Sequence, residues 1–321
     1  MRTAVVLVLV AVAIVALPLV APAYYVTLML PFMAYGVVLL GLNLLFGYTG
    51  LVSFGHAAYF GVGAYALALA TPKYDAPSLW LTLPAAMLAA AVAAFVVGLL
   101  VVRVRGIYFI MVTLAFAQMF YFVVHDTDLG RGSDGITLNA RPTGSLAGAP
   151  ILDFKAEAHI YYFVLAAMVA VYLFLRALLR SPFGHALQGI RSNEQRMRSL
   201  GFPVLRYKLA SFTIAGALAG LAGYLSAMQF GFVNPELLSW HQSGNVLLML
   251  ILGGLGSLRG AVVGAFAFVL LQELFQSVTP HWQLLFGGTI LGVVAFLPGG
   301  LGTAMKRIER GLLGEGAEGA P

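Results

Sequence analysis

The sequence contains no cysteine. That excludes disulfides and thiolate metal sites but leaves the compartment open. Charge is scarce as well: 9% of the 321 residues are Asp, Glu, Lys or Arg, against about a quarter in a soluble domain. The enzyme motifs HExxH and GxSxG are absent. So is GxxxxGKS/T, so this chain does not cradle ATP phosphates itself, and any coupling to ATP comes from another subunit. Ionisable residues are costly inside a bilayer, and where they occur they mark proton relays or ion paths. Here Glu273 is the only acid inside an apolar run, near one end of it. A proton-driven carrier built on an Asp/Glu/His chain is therefore disfavoured, whereas sodium coupling through backbone carbonyls is not.

What the chain does have is hydrophobic residues: 61% of the total, with a mean hydropathy of +0.93. Apolar runs long enough to cross a bilayer core of about 30 Å recur along it, and no ten-residue alternation of a β-barrel is present. Ten spans are predicted, at 4–20, 26–46, 51–70, 79–102, 107–125, 159–179, 208–230, 244–258, 261–279 and 281–298; the eighth is short, and whether 51–70 crosses fully or breaks at Gly55 and whether 244–258 crosses fully stay open. The expected fold class is an all-α polytopic membrane protein with about ten transmembrane helices, one permease-like domain over 1–305 and a tail at 306–321. Residues 1–23 read as a retained helix or as a cleaved signal peptide ending in Ala21-Pro22-Ala23. The retained helix is preferred because the rest of the chain is already a membrane protein.

The formal charge of +6 does not point to nucleic acid, because the basic residues sit at the ends of apolar spans. That is the pattern of orientation signals. Arg176 to Lys208 carries seven basic residues and one acid, Glu194, whereas 126–157 carries three basic residues and five acids. The first segment, Arg103, Arg105 and the tail are expected in the cytoplasm, and 126–157 outside. Ten spans with both termini inside satisfy this. Spans two to five and seven to ten then run in opposite senses, as in an inverted-topology repeat. Glycine-rich stretches in both sets, GLVSFGHAAYFG and GGLGSLRGAVVG, are the only sequence support, and glycine is in any case frequent in membrane helices.

Asn43, Ser53, His56, Gln118 and Gln229 are polar residues in or near spans. Asn43, Ser53, His56 and Gln118 are candidates to line a translocation path. The alternative for each is a hydrogen bond that holds neighbouring helices together. A metal role for His56 is disfavoured, since no second ligand lies at i+3 or i+4. Small residues recur at i+4: Ser53, Ala57 and Gly61; Gly216 and Gly220; Gly260 and Gly264. Such stripes let helix backbones approach closely.

The loop SPFGHALQGIRSNEQRMRSLGFPVLRYKLA (181–210) reads as a helix with Ser181 as cap and Pro182 at its first position. A second short helix is predicted to start at Ser192 or Asn193 and end at Gly201. A basic loop held on anionic lipid is the plainer alternative; the caps favour a protein-docking element.

GLNLLFGYTGLVSFGHAAYFGVGAY (41–65), the loop just quoted with the helix that follows it, and LLMLILGGLGSLRGAVVGA (247–265) together resemble the LivM-type permease subunits of branched-chain amino acid ABC importers. The resemblance runs along nearly the whole chain, in order. It implies an importer subunit in a bacterial cytoplasmic (inner) membrane that binds no cofactor itself. It also implies a second, LivH-like permease subunit, two cytoplasmic ATPases holding ATP-Mg, and an external solute-binding protein. The loop 181–207 then resembles the family's coupling element, with that role carried onto Gly189, Arg191, Asn193, Glu194 and Gly201. Leu, Ile or Val is the implied cargo, with urea, short amides or aromatic acids as the alternative. A stand-alone channel or ion-coupled carrier is the competing class. The external segment GRGSDGI (130–136) carries Arg131 where a glycine is common in the family.

Overall fold

A computed structural model describes residues 14–19, 21–72, 76–146, 149–152, 154, 156–297 and 299–303. Most of the expected first span and all of the 306–321 tail lie outside the described residues; 14–19 are helical. The long helices follow the apolar runs. They are α1 (Ala23–Asn43), α3 (Leu79–Val101), α4 (Ile107–Asp126), α5 (Glu157–Arg180), α8 (Val204–Phe230) and α10 (Leu258–Val278). Each is long and apolar enough to cross a membrane, α1 being extended by a π-helical turn at Leu44–Thr49. Two short helices, α6 (Pro182–Ser192) and α7 (Glu194–Ser199), lie between α5 and α8.

The spans at 51–70 and 244–258, whose full crossing is open in the sequence, are the short helices α2 (His56–Ala70) and α9 (Trp240–Gly253), and α11 (Trp282–Phe296) is shorter than its expected 281–298. With 15 and 14 residues, α2 and α9 reach only about 21–22 Å at 1.5 Å per residue. The physical reason is local. Gly50 at φ 80° ends the π turn, and residues 50–55 are not helical, so the span expected at 51–70 becomes a buried irregular segment followed by a helix from His56. Likewise Gly254 (φ 99°) and Gly256 (φ 76°) break the chain between α9 and α10. Irregular backbone at membrane depth is tolerated where protein surrounds it, and Leu51, Ser53 and Gly55 are buried.

The centre of the molecule is α8, packed by α1, α2 and α3. In α1 and α8, 78% and 72% of the most apolar window is buried, against 17% in α4, which marks the first two as core and α4 as periphery. The faces left open on α3, α4 and α5 carry large apolar side chains such as Leu81, Val96, Met111, Phe122 and Phe174. So large an apolar surface suits a bilayer or a partner chain.

The α6–α7 pair and the α3–α4 turn share one face, joined through Arg105 and Glu194. On the opposite face, β1 (Ile136–Thr137) pairs antiparallel with β4 (Phe232–Val233). The α4–α5 and α8–α9 connections therefore meet there. A separate hairpin of β2 (Gly144–Leu146) and β3 (Ala149–Leu152) lies within the α4–α5 connection. Arg131, in that connection, holds φ 56° and is the one non-glycine residue with positive φ among the described residues.

Candidate functional site

The two backbone breaks converge. The Gly256 amide donates to Asn43 Oδ1 at 3.0 Å. Gly47, on the π turn, lies so close that an added Cβ would meet Gly256 and the Asn43 side chain. Asn43 is wholly buried and its Nδ2 has no partner among the described residues. Arg191, near the end of α6, reaches into this junction: its Nη1 donates to the Gly47 carbonyl, and its stem packs against Gly50. One side chain thus joins the α6–α7 pair to both breaks.

Beside it, Glu194 sits at the start of α7 and ties three elements. Its Oε1 pairs with Arg105 Nη2 at 3.1 Å and Arg198 Nη2 at 2.6 Å, and its Oε2 with Lys208 Nζ at 2.7 Å. Arg105 belongs to the α3–α4 turn and Lys208 to α8. Burial by itself would raise the Glu194 carboxyl. The Lys208 hydrogen bond, with the charges of Lys208, Arg105 and Arg198, outweighs it and holds the carboxyl below its ordinary range.

Local chemistry fixes the α6–α7 geometry. Asn193 is extended, and its Oδ1 accepts from the Arg196 amide at 2.9 Å, capping α7. Gly189 brings α6 against Met197, and Gly201, at φ 84°, turns the chain out of α7. The cap expected from Ser181 differs: Pro182 does open α6, but the Ser181 hydroxyl donates back to the Leu178 carbonyl at 2.7 Å. The hydroxyl is drawn to the orphan carbonyls that end α5.

The candidate path residues do not share one cavity. Ser53 and His56 are buried, 1% exposed each, around the start of α2. Thr113 Oγ1 accepts from the Phe54 amide and Ser243 Oγ from the Ala57 amide, so α4 holds the irregular segment and α9 the first turn of α2. The His56 ring lies against the Ala215 backbone without closing a hydrogen bond of good geometry, and it stands edge-on to Tyr59. Gln118 lies elsewhere, on the wall of an open cleft of about 640 Å³ on the opposite face. Gln229 donates weakly to the Thr27 carbonyl, a helix-to-helix contact.

The small-residue stripes lie at helix crossings. Gly216 and Gly220 face Ala94 and Ala90 of α3, Gly61 faces Leu238, and Ala57 is fully buried. Gly260 and Gly264 pack on Gly253 and Met249 of α9. The sequence reading missed the pairing of Arg105 and Lys208 with Glu194, the bonds of Thr113 and Ser243 to distant amides, and Gly63 and Gly253, which also sit at close crossings. Among the described residues, no three His, Asp or Glu side chains gather as a metal site.

Comparison with known proteins decides the family. A family model described as "branched-chain amino acid transport system / permease component" matches residues 24–295. The chain belongs to this permease family. The Escherichia coli permease protein LivM is 33% identical over 290 residues, covering 84% of this chain and 68% of that protein. A probable LivM of Methanocaldococcus jannaschii is 24% identical, covering 85% and 92% of the two chains. The E. coli permease protein LivH is 23% identical, covering 83% and 90%. No solved structure matches. As a member of this permease family, the chain places the Arg191 junction and the Glu194 cluster within the matched region.

Proposed function

We infer that the chain is the membrane-spanning permease subunit of an ATP-driven importer of branched-chain amino acids. The relatives' names supply the cargo and the permease role, and the resemblance to ABC importer subunits supplies the ATP drive. The observation that carries the mechanism is the wiring of the α6–α7 pair: Arg191 bonds the broken-helix junction, while Glu194 joins α7 to the α3–α4 turn and to α8.

On this reading the basic face is cytoplasmic, both termini lie inside, and residues 181–207 are where an ATPase subunit docks. A LivH-like second permease, two ATPases holding ATP-Mg and an external binding protein complete the importer. Closure of the ATPases pushes on α6 and α7. Arg191 passes that displacement to the Gly47–Gly256 junction, and Glu194 passes it to α3, α4 and α8. The irregular segment 50–55 then opens a route past Ser53 and His56.

Reconstitution tests this. The complete importer in liposomes is expected to accumulate leucine only with binding protein and ATP. Downhill leucine flux through this chain without any ATPase would contradict it and favour a channel or ion-coupled carrier. Uptake of urea but not leucine would overturn the cargo alone.

A further inference from the structure

We propose that the groove between α3 and α8 on the α6–α7 face seats one anionic phospholipid, with its phosphate between Arg103 and Arg206 and an acyl chain along Leu99 and Leu209. The proposal goes beyond the importer reading and does not depend on the cargo; it needs only a chain that sits in a bilayer.

The groove lies where α3 ends and α8 begins, and its volume is about 100 Å³. That is below the roughly 300–1,000 Å³ of small-molecule sites, so it suits a slender chain rather than a compact solute. Gly98 forms its floor: an added Cβ there would stand 2.8 Å from Leu209 Cδ1 and 3.1 Å from Phe212 Cδ1. Leu99 and Leu205, 43% and 44% exposed, leave its sides open. The groove leads onto Leu88, Val92, Val96 and Leu99, which are exposed at spacings of three and four along α3 and so share one face. That apolar stripe runs along a helix long enough to cross a membrane. It places the groove at bilayer depth, out of reach of a soluble subunit docked on α6–α7.

Two cations stand in this groove without an acid. Arg103 follows the last turn of α3, and Arg206 lies in the first turn of α8. Both are exposed, and neither pairs with an acid among the described residues. Glu194, the one acid between Arg176 and Lys208, is already taken by Arg105, Arg198 and Lys208. Arg206 is also badly placed on its own helix: the first turn of α8 holds no acid, and the positive end of a helix dipole disfavours a cation. A phosphate between the two arginines offsets both repulsions through charge-assisted hydrogen bonds. Choline or ethanolamine on that phosphate would bring a third cation to the pair, so a headgroup of net negative charge is selected. A free phosphate would leave the apolar groove unfilled, whereas a phospholipid answers both ends. Basic clusters where spans meet the membrane surface attract anionic lipid in this way.

The absence of cysteine allows a single label on this chain. Leu100→Cys, next to Leu99 and 60% exposed, is labelled with bimane before assembly and read in the complete importer in phosphatidylcholine vesicles. Phosphatidylglycerol with brominated chains is then added as the quencher. Quenching is expected to saturate and to exceed that by brominated phosphatidylcholine, whereas a label at Leu88→Cys is quenched equally by both. Arg103→Gln and Arg206→Gln are each expected to weaken the preference for phosphatidylglycerol about fivefold, and together about thirtyfold. Arg176→Gln, which removes an exposed charge near the end of α5, leaves the preference unchanged. Equal quenching of the Leu100→Cys label by both lipids overturns the site. An equal loss in Arg176→Gln also overturns it, by assigning the preference to diffuse surface charge. Displacement by inorganic phosphate at constant ionic strength assigns the arginines to a free anion and overturns the lipid. A label that neither lipid quenches shows that a partner subunit covers the groove, and this too overturns the proposal. Leucine uptake enters none of these outcomes, so the importer reading stands or falls apart from them.

Discussion

Glu194 answers to three cations across three elements, and its behaviour under acid follows from that. Its carboxyl is held below the ordinary range, about 4.3 for Glu. Between its folded value and that ordinary value, the unfolded chain binds the extra proton, so stability rises with pH there. The network's contribution is complete above the ordinary value and lost as pH falls through the folded one. Thermal unfolding of the purified protein is expected to show a fall in midpoint below about pH 4 that Glu194→Gln lacks. A matching fall in the variant would assign the acid sensitivity elsewhere. Glu194 stood out in the sequence as one acid among seven bases. Its partners did not: Arg105 lies 89 residues away and Lys208 opens an apolar run, and no local spacing links residues across a fold. Arg191 had a coupling role from the resemblance, but its bond to the Gly47 carbonyl was not legible, because a backbone carbonyl leaves no trace in side-chain composition.

At the scale of elements, hydropathy found the helices but not where they break. LVSFG (51–55) is as apolar as its neighbours, so hydropathy leaves both a full span and a break at Gly55 open, and only the backbone shows that α2 starts at His56. The α6–α7 pair was legible because capping and turn chemistry is local. Asn193→Ala removes the α7 cap and is expected to cost about 1 kcal/mol, read as a lower unfolding midpoint with insertion intact. Gly220 faces Ala90 across the α3–α8 crossing. Gly220→Leu forces the helices apart and is expected to cost about 1–3 kcal/mol or more, read as lower yield and midpoint. An unchanged midpoint would mean that the crossing is looser than described. Arg131 occupies a left-handed backbone position, so Arg131→Gly is expected to raise stability by about 1 kcal/mol, checked in the same melt.

For the whole molecule, the central claim is that force enters at α6–α7 and leaves through the broken-helix junction. The apolar faces of α3, α4 and α5 leave room for lipid and a second permease, while the buried pair α1 and α8 gives the junction a rigid frame. The fold class and family were readable from composition and three sequence blocks. The junction was not, since Asn43, Gly47, Arg191 and Gly256 meet only after the chain has folded. The most direct test is the ratio of leucine accumulated to ATP hydrolysed by the complete importer in liposomes, with Arg191→Ala beside the unmodified chain. The account predicts that hydrolysis persists while leucine per ATP falls about tenfold, the order of a coupling free energy of roughly 1–3 kcal/mol. A variant that assembles normally and keeps the unmodified ratio would contradict it.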